Sequence, residues 1–374
     1  MFFTVDYSQR VIGNVSQLPS RVHRGRCLVG EHRCGQPEYP GYSGHYIYYE
    51  VHGTGPIKLF LLSGMLCPLS NYWFQILALT KNPLFQVVVH EYRGVGWSDS
   101  PSTLPTTTNK ELALDALDLL NHLGWTDGIH LAGLSLGGMV AQELAMLDPK
   151  RFASVWLISA TAGRWYATWP GLIKLGRSLA CLWTPWFGKR FVEIALSRSW
   201  LQRVSNYDSL TNWEWATNYY LSIYQDTRLP TLRGLAGHLY AAYTFHVTDE
   251  QLQELRDASP NTRYVVVHGT DDIIIPHCCG EHLAKVLGAE LILNEGSGHW
   301  TTVECADQIS EAIMTRLLKW EGYSDTARYD SGIGASSDDP DDLDGDDPDN
   351  NNDPDDDIND MPLQTPVVEP AKLI

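Results

Sequence analysis

Apolar and polar positions along this chain follow two rhythms that alternate for most of its length. Tyr46-Ile47-Tyr48-Tyr49-Glu50-Val51 opens a strand-like alternation that ends at the turn Gly53-Thr54-Gly55-Pro56. Lys58-Leu59-Phe60-Leu61-Leu62 and Phe85-Gln86-Val87-Val88-Val89-His90 are short apolar runs, the pattern of strands covered on both faces. Residues 108–123 then switch to a helical period. Leu112, Ala116, Leu119, Leu120 and Leu123 share one face, with Asp115 and Asp118 expected to point away. Thr108 and Glu111 have the spacing of a capping box, and Gly124 supplies the stop. A strand over 129–134, a helix over 136–147 and a strand over 154–159 follow. Strands and helices in this order predict a parallel sheet with helices on both faces.

The alternation lapses over residues 162–246 and then resumes. That stretch holds seven of the thirteen tryptophans (165, 169, 183, 186, 200, 213 and 215) and apolar runs of helical period punctuated by Pro170, Pro185 and Pro230. It reads as a mostly helical insertion. Thr248 and Gln251 start another capped helix, and a strand follows at Tyr264-Val265-Val266-Val267. A helix near 281–287, a strand at 290–293 and a last helix over 302–320 complete the pattern. Residues 1–40 show no clear period and read as an N-terminal extension of uncertain order. Residues 41–322 make the folded domain. Residues 323–374 turn polar and then almost purely Asp, Asn and Pro, too poor in apolar surface to offset their ordering entropy, so a disordered tail is expected.

That tail changes how the charge is read. The chain of 374 residues carries a formal net charge of −18, but residues 338–360 hold thirteen aspartates and no basic residue. The remainder carries about −5, with no basic footprint, which excludes nucleic acid as the expected partner. The tail aspartates lack the glycine and terminal-glutamate register of a calcium loop. Seven cysteines are too few for a disulfide framework and suit a reducing compartment. Cys27 and Cys34, near His23 and His32, match no common zinc spacing, so no metal is expected. Asp6, Arg10 and Asn14 interrupt any signal-like run, and no apolar stretch of about twenty residues predicts a membrane span. A cytoplasmic protein is the expectation.

Candidate chemistry centres on Gly133-Leu134-Ser135-Leu136-Gly137, a G-x-S-x-G run with an apolar strand before it and a helix after it. Such a turn presents Ser135 at a helix N-terminus, where the dipole favours developing negative charge. Serine needs a base, and the base an acid that orients it. Among thirteen histidines, His299 lies in Gly296-Ser297-Gly298-His299-Trp300, between the last strand and the last helix. Loops at strand carboxyl ends are where open α/β sheets place their active groups. His268 and His90 end strands and are expected to pack beside the site. Asp271 and Asp272, in Gly269-Thr270-Asp271-Asp272-Ile273-Ile274-Ile275-Pro276, are the acid candidates, and spacing alone does not choose between them.

On these motifs the chain, from about Gly44 to Trp320, resembles the α/β-hydrolase superfamily in its lidded, single-domain branch. The order Ser, Asp, His is that family's order. The resemblance implies a mostly parallel sheet flanked by helices, with a helical lid at 162–246 after the sixth strand. Its G-x-x-D-x-x-x-P loop favours Asp272 as the acid. Glu91-Tyr92-Arg93-Gly94-Val95-Gly96-Trp97-Ser98 resembles the family's D-x-R-G-x-G-x-S segment, with Glu91 in place of aspartate, a change expected to affect local hydrogen bonds more than chemistry. The implied oxyanion donors are the backbone N–H groups of Leu136 and, by position after Ser63-Gly64, of Met65. The family has His-Gly where this chain has Ser-Gly.

These readings converge on a serine hydrolase of a small hydrophobic acyl or aromatic substrate, without cofactor. Carbon–carbon bond hydrolysis, acyl transfer and cofactor-free peroxidation use the same triad, and a ligand receptor or scaffold is the alternative of another class. Lys174, Arg177, Lys189 and Arg190, interleaved with Leu, Trp and Phe, admit a peripheral membrane contact through the lid. The acidic tail admits a basic protein partner.

Overall fold

The protein is described from a computed structural model that covers residues 18, 20–34, 36, 44–100, 107–163, 176–177, 186–205, 209–223 and 227–323. The acidic tail, Trp165, Trp169 and Trp183, and most of the basic-aromatic stretch 172–191 lie outside these residues.

Eight strands form one sheet. In chain order they are β1 (Arg21–Val29), β2 (His45–His52), β3 (Ile57–Leu62), β4 (Phe85–His90), β5 (Ile129–Leu134), β6 (Phe152–Ile158), β7 (Arg263–Gly269) and β8 (Glu290–Asn294). Their order across the sheet is β1-β2-β4-β3-β5-β6-β7-β8. β1 and β2 pair antiparallel, β2 meets β4 antiparallel, and every later pairing is parallel. The parallel pairings follow from the helical crossovers that the sequence pattern places between strands. Helices α1 (Trp73–Leu79), α2 (Asn109–His122) and α3 (Leu136–Leu147) join β3 through β6. All six residues of β5 are buried, as the unbroken apolar run requires of a central strand.

The strand order reverses at β3: the chain leaves it for β4 on one side and places β5 on the other. A crevice at the carboxyl ends of strands opens at such a switch point. The segment after β3 (Ser63-Gly64-Met65) and the turn after β5 (Ser135) are thereby brought to one place, with Leu62 in register with Gly133.

After β6 the described residues form α4 (Trp186–Ala195), α5 (Arg198–Leu201), α6 (Asn212–Ile223) and α7 (Leu232–Thr244), with no strand among them; residues 164–175, 178–185, 206–208 and 224–226 of the insertion expected at 162–246 lie outside the described residues. α8 (Asp249–Ala258) starts with both halves of a capping box on Thr248 and Gln251. α9 (His277–Leu287), α10 (Thr301–Glu304) and α11 (Ala306–Trp320) are the last helices among the described residues. The single last helix expected over 302–320 is two, because Cys305 leaves helical geometry at φ −117°, ψ 38°.

Two expectations change with the structure. Within residues 1–40, β1 is an ordered edge strand. Only Cys27 and Val29 turn inward while Val22, His23, Arg24 and Arg26 face out, so the strand carries almost no apolar period. A polar outer face of this kind protects a sheet edge. Asp115 does not point away to solvent. It is buried on α2, where its carboxylate accepts hydrogen bonds from Arg33 Nη2 (2.7 Å), Arg93 Nε (2.8 Å) and Nη2 (2.7 Å), and His45 Nε2 (3.2 Å). Burial alone pushes this carboxyl up, but Arg93, His45 and Arg33 outweigh it and hold it well below the usual carboxylate range. The same ion cluster ties the N-terminal segment, through Arg33, to the body of the fold.

Glu91, at the end of β4, has its longer side chain accommodated by Gly96, where a Cβ would overlap the carboxylate. Its Oε2 accepts the Trp97 N–H at 2.6 Å. Burial pushes the group up to about 8, against the hydrogen bond from Trp97. Between its ordinary value of 4.5 and about 8 the unfolded chain has released this proton and the folded chain has not, so stability falls as pH rises through that window.

Two substitutions test these buried charges. Asp115→Ala removes the buried carboxylate that Arg93 and Arg33 share, leaving Asp118 (3.1 Å) still facing Arg33, and is expected to lower unfolding free energy by about 3–5 kcal/mol in urea titration; an unchanged midpoint contradicts the pairing. Glu91→Gln keeps the Trp97 hydrogen bond without a titrating proton. It should raise unfolding free energy, and with it Tm, more at pH 8 than at pH 5.

Candidate active site

The strand-to-helix turn at Ser135 is built by close backbone approach. A Cβ at Gly137 would overlap the Leu62 carbonyl of β3, and one at Gly133 would overlap the carbonyl of Gly137. The glycines of the motif are therefore steric necessities. Ser135 itself sits at φ 57°, ψ −116°, a conformation that L-residues rarely adopt, held by its N–H on the Ile158 carbonyl (2.8 Å) and by its own carbonyl accepting from Gly138 and Met139.

His299 lies in the loop between β8 and α10. Its Nε2 is 2.9 Å from Ser135 Oγ and its Nδ1 is 2.7 Å from Asp272 Oδ2. Asp272 follows β7. Its Oδ1 accepts the N–H groups of Ile274 (2.8 Å) and Ile275 (2.9 Å), and its Oδ2 also faces His268 Nε2 at 3.3 Å. Burial opposes ionisation of Asp272, yet His299 and His268 bring it down to about 2. An ionised Asp272 accepts the Nδ1 proton of His299 and leaves Nε2 as the acceptor for the Ser135 hydroxyl. Asp271 is exposed and only its backbone is engaged, donating to the Ser297 carbonyl at 2.9 Å. The pair left open by spacing is thus separated by geometry: Asp272 faces His299 and Asp271 does not.

Leu136 is the first residue of α3, so its N–H has no acceptor within the helix. It lines the pocket beside Ser135 together with Gly64, Met65 and His299. The segment after β3 runs close over the nucleophile position, where a Cβ on Gly64 would lie 3.8 Å from that of Ser135. The cavity is about 50 Å³ and mostly apolar.

Three side chains that support the site carry no signal in the sequence. Glu304 accepts the N–H groups of Gly298 (2.9 Å) and Ser197 (3.0 Å), and Trp300 donates to the Ala195 carbonyl (2.7 Å), so the His299 loop is fastened to the end of α4. His238, buried on α7, accepts the N–H of Leu66, which has a positive φ of 61° in the loop after Met65. Burial lowers His238 to about 4, so it is neutral and able to accept. Asn71 lines the pocket from the short 3-10 helix Leu69–Tyr72 that precedes α1. Glu304 and His238 reach partners far away in the chain, with Ser197 107 residues from Glu304 and Leu66 172 residues from His238. His90 and His268 end their strands buried, His90 stacked on Phe60.

The insertion meets the site through aromatic rings. Trp215 stacks on Tyr219 (centroids 5.5 Å apart), and Tyr219 and Phe191 pack against Trp300, next to His299. No group of three or more His, Cys, Asp or Glu among the described residues is arranged to hold a metal ion. None of the described helices is long and apolar enough to cross a membrane.

Known proteins share this architecture. A dihydrolipoyllysine-residue acetyltransferase component of an acetoin cleaving system from Pseudomonas putida is 28% identical over 73% of the chain; the match spans 66% of that protein's own length. A putative carbamate hydrolase, RutD, from Pseudomonas savastanoi pv. phaseolicola is 28% identical over 69% of the chain and 92% of its own. The solved structure of a thermophilic esterase from Thermogutta terrifontis superposes with a TM-score of 0.61 at 21% identity, covering 80% of this chain and 99% of that one. The family description "alpha/beta hydrolase fold" matches residues 59–304, which is most of the described sheet with its nucleophile turn, insertion and histidine loop. With that span matched, the chain belongs to the alpha/beta hydrolase fold family.

Proposed function

We propose that this protein is a serine hydrolase that cleaves an ester or related acyl bond of a small hydrophobic substrate. The observation that carries the reading is the hydrogen-bonded chain Ser135–His299–Asp272, at 2.9 and 2.7 Å, opening on an apolar pocket. Family membership and relatives named as hydrolases support the class of reaction.

Ser135 Oγ bonds to the acyl carbon as His299 Nε2 takes its proton, and the carbonyl oxygen becomes an oxyanion. The N–H groups of Leu136 and Met65 receive that charge, a contribution on the order of 10²–10³ in rate for one such donor. The imidazolium, faced by ionised Asp272, returns the proton to the leaving oxygen as the carbon–oxygen bond breaks. Water then attacks the acyl-enzyme, giving its proton to His299, and Ser135 regains its hydrogen as the acid leaves. The helical insertion acts as a lid whose aromatic rings set the hydrophobic preference. The six described cysteines are free, in keeping with a cytoplasmic setting. In this reading the tail meets a basic protein partner and the lid a membrane surface.

The same triad serves carbon–carbon hydrolysis, acyl transfer and peroxidation, and the carbamate and acetyltransferase names among relatives keep those substrates in the screen. A fluorophosphonate probe separates enzyme from scaffold. Labelling that Ser135→Ala abolishes is expected, and a folded, unlabelled wild type sinks the reading. On an ester that is turned over, Ser135→Ala or His299→Ala should each lower kcat by on the order of 10⁴–10⁶. Asp272→Asn should cost far more activity than Asp271→Asn; the reverse ranking would move the acid's role to Asp271.

A further inference from the structure

The pocket beside Ser135 is walled by Met65, Leu134, Met139, Phe191, Ile274 and Ile275, and none of its described lining residues is Asp, Glu, Lys or Arg. One side chain breaks the apolar pattern without belonging to the catalytic chain. Asn71 is 2% exposed, and neither its Nδ2 nor its Oδ1 has a hydrogen-bond partner among the described residues. The indole N–H of Trp300, also in the lining, is likewise without an acceptor there.

A buried amide with both ends unpaired carries a desolvation cost that no hydrogen bond offsets, and such groups are rare unless something binds them. The backbone around Asn71 is fixed on both sides. Tyr219 donates its hydroxyl to the Ser70 carbonyl (3.1 Å), Tyr72 donates to the Leu62 carbonyl (3.1 Å), and the Asn71 N–H donates to the Pro68 carbonyl (3.1 Å). The backbone of Asn71 is therefore fixed where the residue lines the pocket, and at 2% exposure its amide has little access to bulk water.

We propose that Asn71 is a specificity-determining residue that recognises a second polar group of the acyl substrate, separate from the bond that Ser135 attacks. The inference rests on the serine-hydrolase reading and names its substrate class. The free Nδ2–H calls for an acceptor and the free Oδ1 for a donor, so the complementary group carries both: a carboxamide, urea or carbamate. A ketone or ether leaves Oδ1 unpaired. A carboxylate would bring a buried charge to a pocket whose described lining offers no cation. Sites built to hydrogen-bond a substrate reject analogues that lack the group, because their own polar atoms then stay unpaired.

The test is a set of short-chain 4-nitrophenyl esters whose acyl chains end in a carboxamide, in the isosteric dimethyl branch, or in a carboxylate. Wild type is expected to favour the carboxamide in kcat/KM over both others by about tenfold or more. Asn71→Leu should reverse the order of carboxamide and dimethyl branch, lowering the first and raising the second. Asn71→Ala should level them. Fluorophosphonate labelling of Ser135 in each variant reports that the site is folded. A flat wild-type preference, a preference for the carboxylate, or parallel loss on all three esters in a labelled variant overturns the inference. Absence of labelling and of turnover in the wild type overturns the hydrolase reading instead, so the two failures are distinct.

Discussion

The fold's chemistry depends on one steric constraint: the N-terminus of α3 must pass against the end of β3 with no side chain between them. Gly137 meets the Leu62 carbonyl where a methyl group would not fit, and that contact fixes the turn that carries Ser135. The positive φ of Ser135 is the local cost, on the order of 1–3 kcal/mol for a residue so placed. The fully buried β5 and the mostly buried α3 impose it. Because strand order reverses at β3, the same constraint brings the Gly64–Met65 segment over the nucleophile. The site is thus a consequence of sheet topology before it is a set of residues.

Around that centre, buried charge is always matched to a local purpose. Asp272 is ionised because two histidines and two backbone N–H groups face it. Asp115 is ionised between two arginines and anchors the N-terminal segment. Glu91 has only backbone and hydroxyl donors within reach and is shifted toward its neutral form. Glu304 ties the His299 loop to Ser197 at the start of α5, so the position of the base depends on the insertion. His238 makes a corresponding connection from α7 to the loop after Met65. Both loops that meet Ser135 are therefore fastened to the insertion as well as to the sheet.

Much of this was legible in sequence because it is written in local rhythm. The capping box at Thr108 and Glu111 formed as spacing required, and the central strands lie where apolar runs placed them. The G-x-S-x-G turn is readable because sterics demand its glycines at fixed offsets. What was missed shares a cause: the partner lies far away in the chain. Asp115 looked solvent-facing because the arginines that bury it stand 82 and 22 residues away. β1 looked irregular because an edge strand exposes most of its side chains. Asn71 gave no signal at all, since an unpaired amide is defined by what surrounds it. Asp271 and Asp272 are equivalent by spacing, and what distinguishes them is tertiary: His299 and the backbone donors of Ile274 and Ile275 face Asp272 alone.

If Ser135 forms a covalent acyl intermediate, rapid-quench mass spectrometry with a 4-nitrophenyl ester will capture it. A burst of nitrophenol of about one equivalent per enzyme is expected, with the acyl mass carried on the peptide that contains Ser135. Turnover without burst or adduct, retained when Ser135 is replaced by alanine, would contradict it.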